Sequence, residues 1–274
     1  MSVSPYPPSS RGRIVLFGSG ETARVGRRVH ELLMAAHQKP VPVAVLETPA
    51  GFQPNTNTLA LDVKQFFEHS LQNFKPQVTI VPARYRGEGE FSTDEPSFVP
   101  AVESAEYVFA GAGSPTYAAR HLANSRLWKA VESRLERGAT LALASAMALA
   151  VSTHTLPVYE IFKVGEPLSW APGLDLFGKL GLDLTVVPHW NNNEGGTKLD
   201  TSHCYMGAIR FAELRTMLPP ETVILSIDEH TACVFDLGRE EARVHGAGSV
   251  SIIRDDEAET YAADDTFSLS RLRR

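Results

Sequence analysis

The stretch Gly138-Ala139-Thr140-Leu141-Ala142-Leu143-Ala144-Ser145-Ala146-Met147-Ala148-Leu149 decides how the rest of the chain is read. Thr140 to Ala144 lacks any polar alternation, which suits a strand buried on both faces of a parallel sheet. Ser145 then falls between that strand and a following helix, flanked by small residues. A hydroxyl there can be held exposed on a strained elbow, with a helix N-terminus beside it that favours negative charge. The usual elbow is G-x-S-x-G, and Leu143 and Met147 stand at the two glycine places. The elbow therefore requires the helix to stand off from the strand, or Met147 to turn outward. The plainer alternative is a buried small residue in an alanine-rich packed crossing.

Outward from this stretch, strand and helix patterns alternate. Ile14 to Phe17 is an apolar run ending in Gly18-Ser19-Gly20, followed by Val25, Val29, Leu32, Leu33 and Ala36 at helical spacing. Val41 to Leu46 and Val78 to Val81 read as strands around an amphipathic helix marked by Leu59, Val63, Phe66, Phe67 and Leu71. Arg84 to Pro96 is a charged loop. Tyr107 to Ala110 is a strand entering Gly111-Ala112-Gly113-Ser114-Pro115, with helices over Thr116 to Leu122 and Leu127 to Arg137. From Val223 the pattern becomes short alternating runs: Val223–Ile227, Thr231–Phe235, Ala242–His245 and Ser249–Ile253. The expected architecture is α/β: a mostly parallel, doubly wound sheet flanked by helices, with antiparallel strands added near the C-terminus. Residues 13–254 read as one domain, with 1–12 and 255–274 as flexible tails.

The chain has 274 residues, 43% hydrophobic and 21% charged, within the ordinary globular range. Its net charge of −6 argues against nucleic-acid or anionic-membrane partners, both of which favour basic faces. No apolar stretch approaches the roughly 18 residues of a membrane span. The Pro/Ser-rich start lacks the apolar core of a signal peptide. Two cysteines, Cys204 and Cys233, with no CxxC spacing, offer neither a disulfide framework nor a structural zinc site. A reducing, cytoplasmic setting is expected, with no cofactor and no metal. A homodimer stays open.

Several constellations could carry chemistry at the rim where parallel strands end. Gly18-Ser19-Gly20-Glu21-Thr22-Ala23 fits a loose dinucleotide fingerprint, with Glu47 where a ribose-binding acid would stand. The alternative is a tight turn without a ligand. The turn Gly111-Ala112-Gly113 can present free N–H groups to an oxyanion or, equally, to a phosphate. Val186-Val187-Pro188-His189 delivers a histidine from a buried strand end into a polar loop, where a general base for Ser145 would sit. Asp200-Thr201-Ser202-His203-Cys204 and Asp228-Glu229-His230 hold candidate metal ligands or a thiol nucleophile. Adjacent residues on a strand face opposite ways, however, so the second run cannot deliver all three to one ion.

The order of these segments resembles the cyanophycinase and aspartyl-dipeptidase family of serine peptidases, whose fold is like that of class I glutamine amidotransferases. The resemblance spans roughly Arg13 to Arg254. It rests on GSGE (18–21), FAGAGSPTY (109–117), ASAMAL (144–149), VVPHW (186–190) and IDEHTA (227–232). It implies Ser145 as nucleophile and His189 as base, with oxyanion donors in Gly111, Ala112, Gly113 and Ala146. The triad acid is implied between nucleophile and histidine, at Glu160 first and Asp175 second. The activity implied is hydrolysis of a small peptide or amide substrate next to an acidic residue. A catalytically impaired relative, binding a small molecule or partner, is the alternative, and a nucleotide-binding oxidoreductase comes third.

Overall fold

Short apolar runs too brief for helices and bounded by glycine turns become the central strands, and the amphipathic stretches between them become the covering helices. The computed structural model describes residues 5–7, 11–255 and 257–273. Its strands in chain order are β1 (Arg13–Phe17), β2 (Pro42–Leu46), β3 (Gln77–Val81), β4 (Tyr107–Ala110), β5 (Thr140–Ala144), β6 (His154–Thr155) and β7 (Ala171–Pro172). Then follow β8 (Leu184–Val187), β9 (Val223–Ile227), β10 (Thr231–Asp236), β11 (Glu241–Gly246), β12 (Ser249–Arg254), β13 (Glu257–Ala262) and β14 (Thr266–Ser268). The helices are α1 (Arg24–Met34), α2 (Thr56–Ser70), α3 (Val99–Glu103), α4 (Pro115–Leu122), α5 (Arg126–Glu136), α6 (Ala146–Ala150) and α7 (Gly207–Thr216).

The large sheet runs β14-β11-β10-β1-β5-β4-β2-β3. The stretch from β1 to β3 is parallel, and β10, β11 and β14 add to it antiparallel. This is the expected mixed α/β architecture. One difference matters for the site. β8 does not join the large sheet but forms a second sheet, β13-β12-β9-β8, in which β8 and β9 are parallel. The late strands thus divide between the two sheets rather than finishing one. Ser145 and His189 leave different sheets, where a single sheet was expected.

Packing explains the split. One face of the large sheet presents Val15, Phe17, Val45 and Phe109 to α1 and α2. The other presents Ile14, Leu16, Leu141 and Leu143 to α4, α5 and the inner residues Val186, Leu225 and Ile252 of the small sheet. The small sheet buries its outer face separately, with Val187, Ile224 and Ile253 against Phe211 and Leu214 of α7. Two sheets therefore share one apolar layer, and their strand ends meet at one rim. A buried ion pair from Arg13 Nε to Asp236 Oδ2, 2.9 Å, fastens the start of β1 to the end of β10.

The C-terminal segment is not a loose tail. β13 pairs with β12 and β14 with β11, and Phe267, Leu269 and Leu272 are buried. Tyr6 near the other end is also buried, and its hydroxyl bonds His245 Nε2 at 2.5 Å. The apolar positions 267, 269 and 272 stand singly among polar residues, so no local run reveals these contacts. No helix among the described residues is long and apolar enough to cross a membrane.

Candidate active site

Ser145 follows the last residue of β5 and sits at φ 50°, ψ −111°, a conformation that L-residues rarely adopt. The turn is held from below: the Ser145 N–H donates to Phe17 O at the end of β1, and α6 starts at the next residue. The bulky flanks are accommodated with Met147 turned inward, not outward as one of the expected arrangements had it. Leu143 and Met147 are both fully buried in the apolar layer shared by the two sheets. Met147 turns inward, and the space that a glycine would leave is filled by core.

His189 follows β8 through Pro188 and also adopts a positive φ, 54°. Its Nε2 lies 3.1 Å from Ser145 Oγ, within the range of a nucleophile–base pair. Its Nδ1 lies 2.9 Å from Glu229 Oε1. Glu229 occupies the tight turn between β9 and β10, where the chain crosses from the small sheet to the large one. The structure therefore puts Glu229, rather than Glu160 or Asp175, on the imidazole. Glu160 takes a hydrogen bond from Thr116 Oγ1 of α4, and Asp175 takes one from Thr153 Oγ1 at 2.8 Å. The chain-order expectation of an acid before the histidine is overridden by topology: β9 is the parallel neighbour of β8, so its end is the nearest rim position to His189.

Glu229 is surrounded by donors. Asn192 Nδ2 reaches Oε1 at 2.7 Å, Ser19 donates to the carboxylate, and the Glu229 N–H is received by Asn191 Oδ1 at 2.8 Å. Burial raises the Glu229 pKa, but the hydrogen bonds from His189, Ser19 and Asn192 outweigh it and bring it down to about 2. The carboxylate is thus ionised and can only accept, so His189 Nδ1 carries the proton. Nε2 is left with its lone pair toward Ser145.

The first glycine turn has a different use from the one its pattern suggests. A Cβ on Gly18 would lie 2.0 Å from Asp228 O, and one on Gly20 2.6 Å from His230 Nδ1. These glycines admit the Asp228–His230 turn, and Ser19 Oγ accepts the His230 N–H at 2.9 Å.

A cavity of about 300 Å³ opens over Ser145 and His189, lined also by Gly113, Ala146, Tyr159, Lys163, Glu194 and Tyr205. Of the four expected oxyanion donors, Gly113 and Ala146 face this cavity, whereas Gly111 and Ala112 line a neighbouring one. Among the described residues neither the Gly113 nor the Ala146 N–H has a protein acceptor. Gly113 must be glycine: it has φ 152°, and a Cβ there would lie 1.9 Å from Pro49 O.

The competing clusters resolve into structure. Asp200 accepts from Ser202 N–H and Oγ and from Ala208 N–H in the first turn of α7, and these bonds lower its pKa to about 2. That anchoring fixes the left-handed run His203, Cys204 and Tyr205. Burial, and then the charge of Glu229, push the Cys204 thiol well up, away from the thiolate a nucleophile needs. Asp228 is spent on Ser249, whose N–H and Oγ reach its Oδ2 at 2.9 and 2.8 Å. Among the described residues no His, Cys, Asp and Glu cluster could hold a metal ion.

No protein-family model matches the chain, and no curated protein matches it. Solved structures do. A peptidase from an acI-B1 Actinobacterium superposes with a TM-score of 0.74 at 23% identity, over 96% of this chain and 98% of the other. A Listeria monocytogenes EGD-e protein assigned by name to Peptidase E superposes with a TM-score of 0.54 at 14% identity, over 92% of this chain and 99% of the other. At these identities the likeness is one of fold.

Proposed function

We propose that the protein is a serine hydrolase that cleaves a peptide or amide bond, with Ser145 as nucleophile, His189 as general base and Glu229 as the acid that orients it. The observation that carries this reading is the unbroken relay from Ser145 Oγ through His189, 3.1 Å on one side and 2.9 Å on the other. It starts at a strained elbow and ends on an ionised carboxylate. The peptidases of like fold support the reaction class.

In the reaction so read, Nε2 takes the Ser145 proton as Oγ attacks the substrate carbonyl. The developing oxyanion is received by the N–H groups of Gly113 and Ala146, which line the cavity and have no protein acceptor among the described residues. Glu229 stabilises the imidazolium and remains ionised. His189 then returns the proton to the leaving amine, and water, deprotonated by the same nitrogen, releases the acyl group from Ser145. Among the described residues Lys163 is the only Lys or Arg lining the cavity, and we assign to it the preference for a substrate with an acidic residue beside the scissile bond. The buried free thiols Cys204 and Cys233 suit a reducing cytoplasm.

The test is a fluorophosphonate probe followed by peptide mapping, together with hydrolysis of dipeptides carrying Asp, Asn or Leu at the first position. Labelling of Ser145 and hydrolysis of the Asp dipeptide are expected. An unlabelled Ser145 in a protein that still hydrolyses the dipeptides would end the serine reading.

A further inference from the structure

One strained segment beside the cavity takes no part in the relay. His203, Cys204 and Tyr205 lie in succession at φ 54°, 56° and 69°. L-residues enter this left-handed region singly as a rule, because Cβ crowds the following carbonyl oxygen. Three in a row persist only where the surroundings over-determine them, and such strain gathers at functional sites.

What holds this run is the strand end that carries the base. His203 N–H donates to Trp190 O at 2.8 Å, and Cys204 N–H donates to His189 O at 3.2 Å. Arg210 Nη2 of α7 donates to Tyr205 O at 3.1 Å. The run is thus bonded to the backbone of His189 and Trp190, and it delivers Tyr205 to the cavity that His189 lines. There the two rings lie 5.9 Å apart at 53°, and Phe162 packs against Tyr205 at 5.4 Å. Burial first, and then the Glu194 carboxylate, push the Tyr205 hydroxyl well above its ordinary value, so it stays a neutral phenol.

We infer that Tyr205 is a positioning residue for the general base: its ring limits the swing of the His189 imidazole, and its hydroxyl takes no part in proton transfer. This rests on the hydrolase reading for its catalytic consequence. Glu229 holds the imidazole at Nδ1 alone, and the ring torsion of histidine is broad. The second hydrogen bond, to Ser145 Oγ, is lost once Oγ carries the acyl group. During release of that group Nε2 must still aim a water at the ester. A displacement of about 1 Å can cost roughly 10²-fold in rate. The packed ring of Tyr205 restrains the imidazole at this stage, whatever its charge.

The experiment compares wild type, Y205F and Y205A by two readouts. The first is kcat and KM for an Asp dipeptide and a p-nitrophenyl ester, with active sites counted by fluorophosphonate labelling. The second is the NMR order parameter of the His189 ring C–H bonds, which needs no activity. Y205F should keep kcat and KM within about twofold, because it keeps the ring. Y205A should lower kcat per labelled site by about 10- to 100-fold with KM within about threefold. Its His189 ring should loosen from the rigid range near 0.85 toward about 0.6, with Y205F unchanged. Y205L, which keeps apolar bulk without the flat ring, replaces Y205A if that variant fails to fold, with a loss of about tenfold. Four results would overturn the inference: a Y205F loss equal to that of Y205A, which would make the hydroxyl the active part; a loss carried by KM, which would make Tyr205 a substrate contact; an unchanged kcat per labelled site, which would make its role structural; or an unchanged His189 order parameter in Y205A. If Ser145 proves inert in the wild type, the hydrolase reading fails, and the ring order still decides whether Tyr205 holds His189.

Discussion

The two sheets build their halves of the relay by different means. The large sheet contributes Ser145 through backbone: a residue at φ 50° and ψ −111°, wedged between a strand end and a helix start, over fully buried Leu143 and Met147. The small sheet contributes His189 and Glu229 through side chains: Ser19, Asn191 and Asn192 hold the acid, and the acid holds the imidazole. A nucleophile placed by backbone strain is insensitive to its polar neighbours and sensitive to the core beneath it. A base placed by hydrogen bonds is the reverse. The two halves should therefore respond to different substitutions.

The largest effect is expected from S145A. The variant keeps the fold, since only a hydroxyl is lost, and hydrolysis falls by on the order of 10⁴-fold or more. Undiminished kcat/KM in the purified variant would remove the large sheet's half of the comparison. E229Q comes next. An amide cannot hold the Nδ1 tautomer or stabilise the imidazolium, so kcat should fall by about 10²- to 10⁴-fold with little change in KM. E160Q measured beside it should lie within a few-fold of wild type. An E160Q loss equal to that of E229Q would return the acid to the position first expected from the sequence.

M147A tests the core beneath the elbow. Removing a fully buried Met side chain costs about 2–5 kcal/mol, read as a lower midpoint in urea unfolding. A change below 1 kcal/mol, as for an exposed side chain, would mean that the elbow does not lean on Met147. N192A removes one donor to Glu229 and should lower kcat by about tenfold and stability by about 1–3 kcal/mol. If N192A acted on stability alone, the hydrogen bonds around Glu229 would belong to the fold and not to the placement of the base.

The smallest effect concerns pH. The folded-state pKa of Glu229, about 2, lies below its ordinary 4.5. Its contribution to stability is thus complete above about pH 4.5 and is lost as pH falls toward 2. The stability gap between wild type and E229Q should shrink from pH 7 to pH 3.5, as followed by urea titration. A gap that widened on acidification would reverse the sign of the shift.

Much of this was legible in the residues. Apolar runs without alternation identified the parallel strands, the small residues around Ser145 marked the elbow, and the strand-Pro-His sequence marked the second rim position. Glu229 was in plain view within Asp228-Glu229-His230, as candidate metal ligands set aside because adjacent strand residues diverge. The divergence is real, with Asp228 going to Ser249 and Glu229 to His189. What the pattern lacked was the partition of late strands between two sheets, which depends on long-range packing of Val186, Leu225 and Ile252 and leaves no local trace. The Gly18–Gly20 turn was ambiguous for a related reason. Glycine reports that something approaches the backbone closely, but not whether that something is a phosphate or residues 228–230.

The crossing at residues 228–230 also orders events in time. The chain emerges from the ribosome N-terminus first, so Ser145 is made long before Glu229, and β10 takes its place beside β1 only after the turn that carries the acid has been synthesised. A nascent chain shorter than that turn has a serine without its relay. The strand that begins the antiparallel side of the large sheet follows directly on the turn that carries Glu229, so seating β10 on β1 and bringing the carboxylate to His189 are one event. A chain truncated before residue 231 would lack β10, β11 and β14 and leave β1 at the open edge of the large sheet.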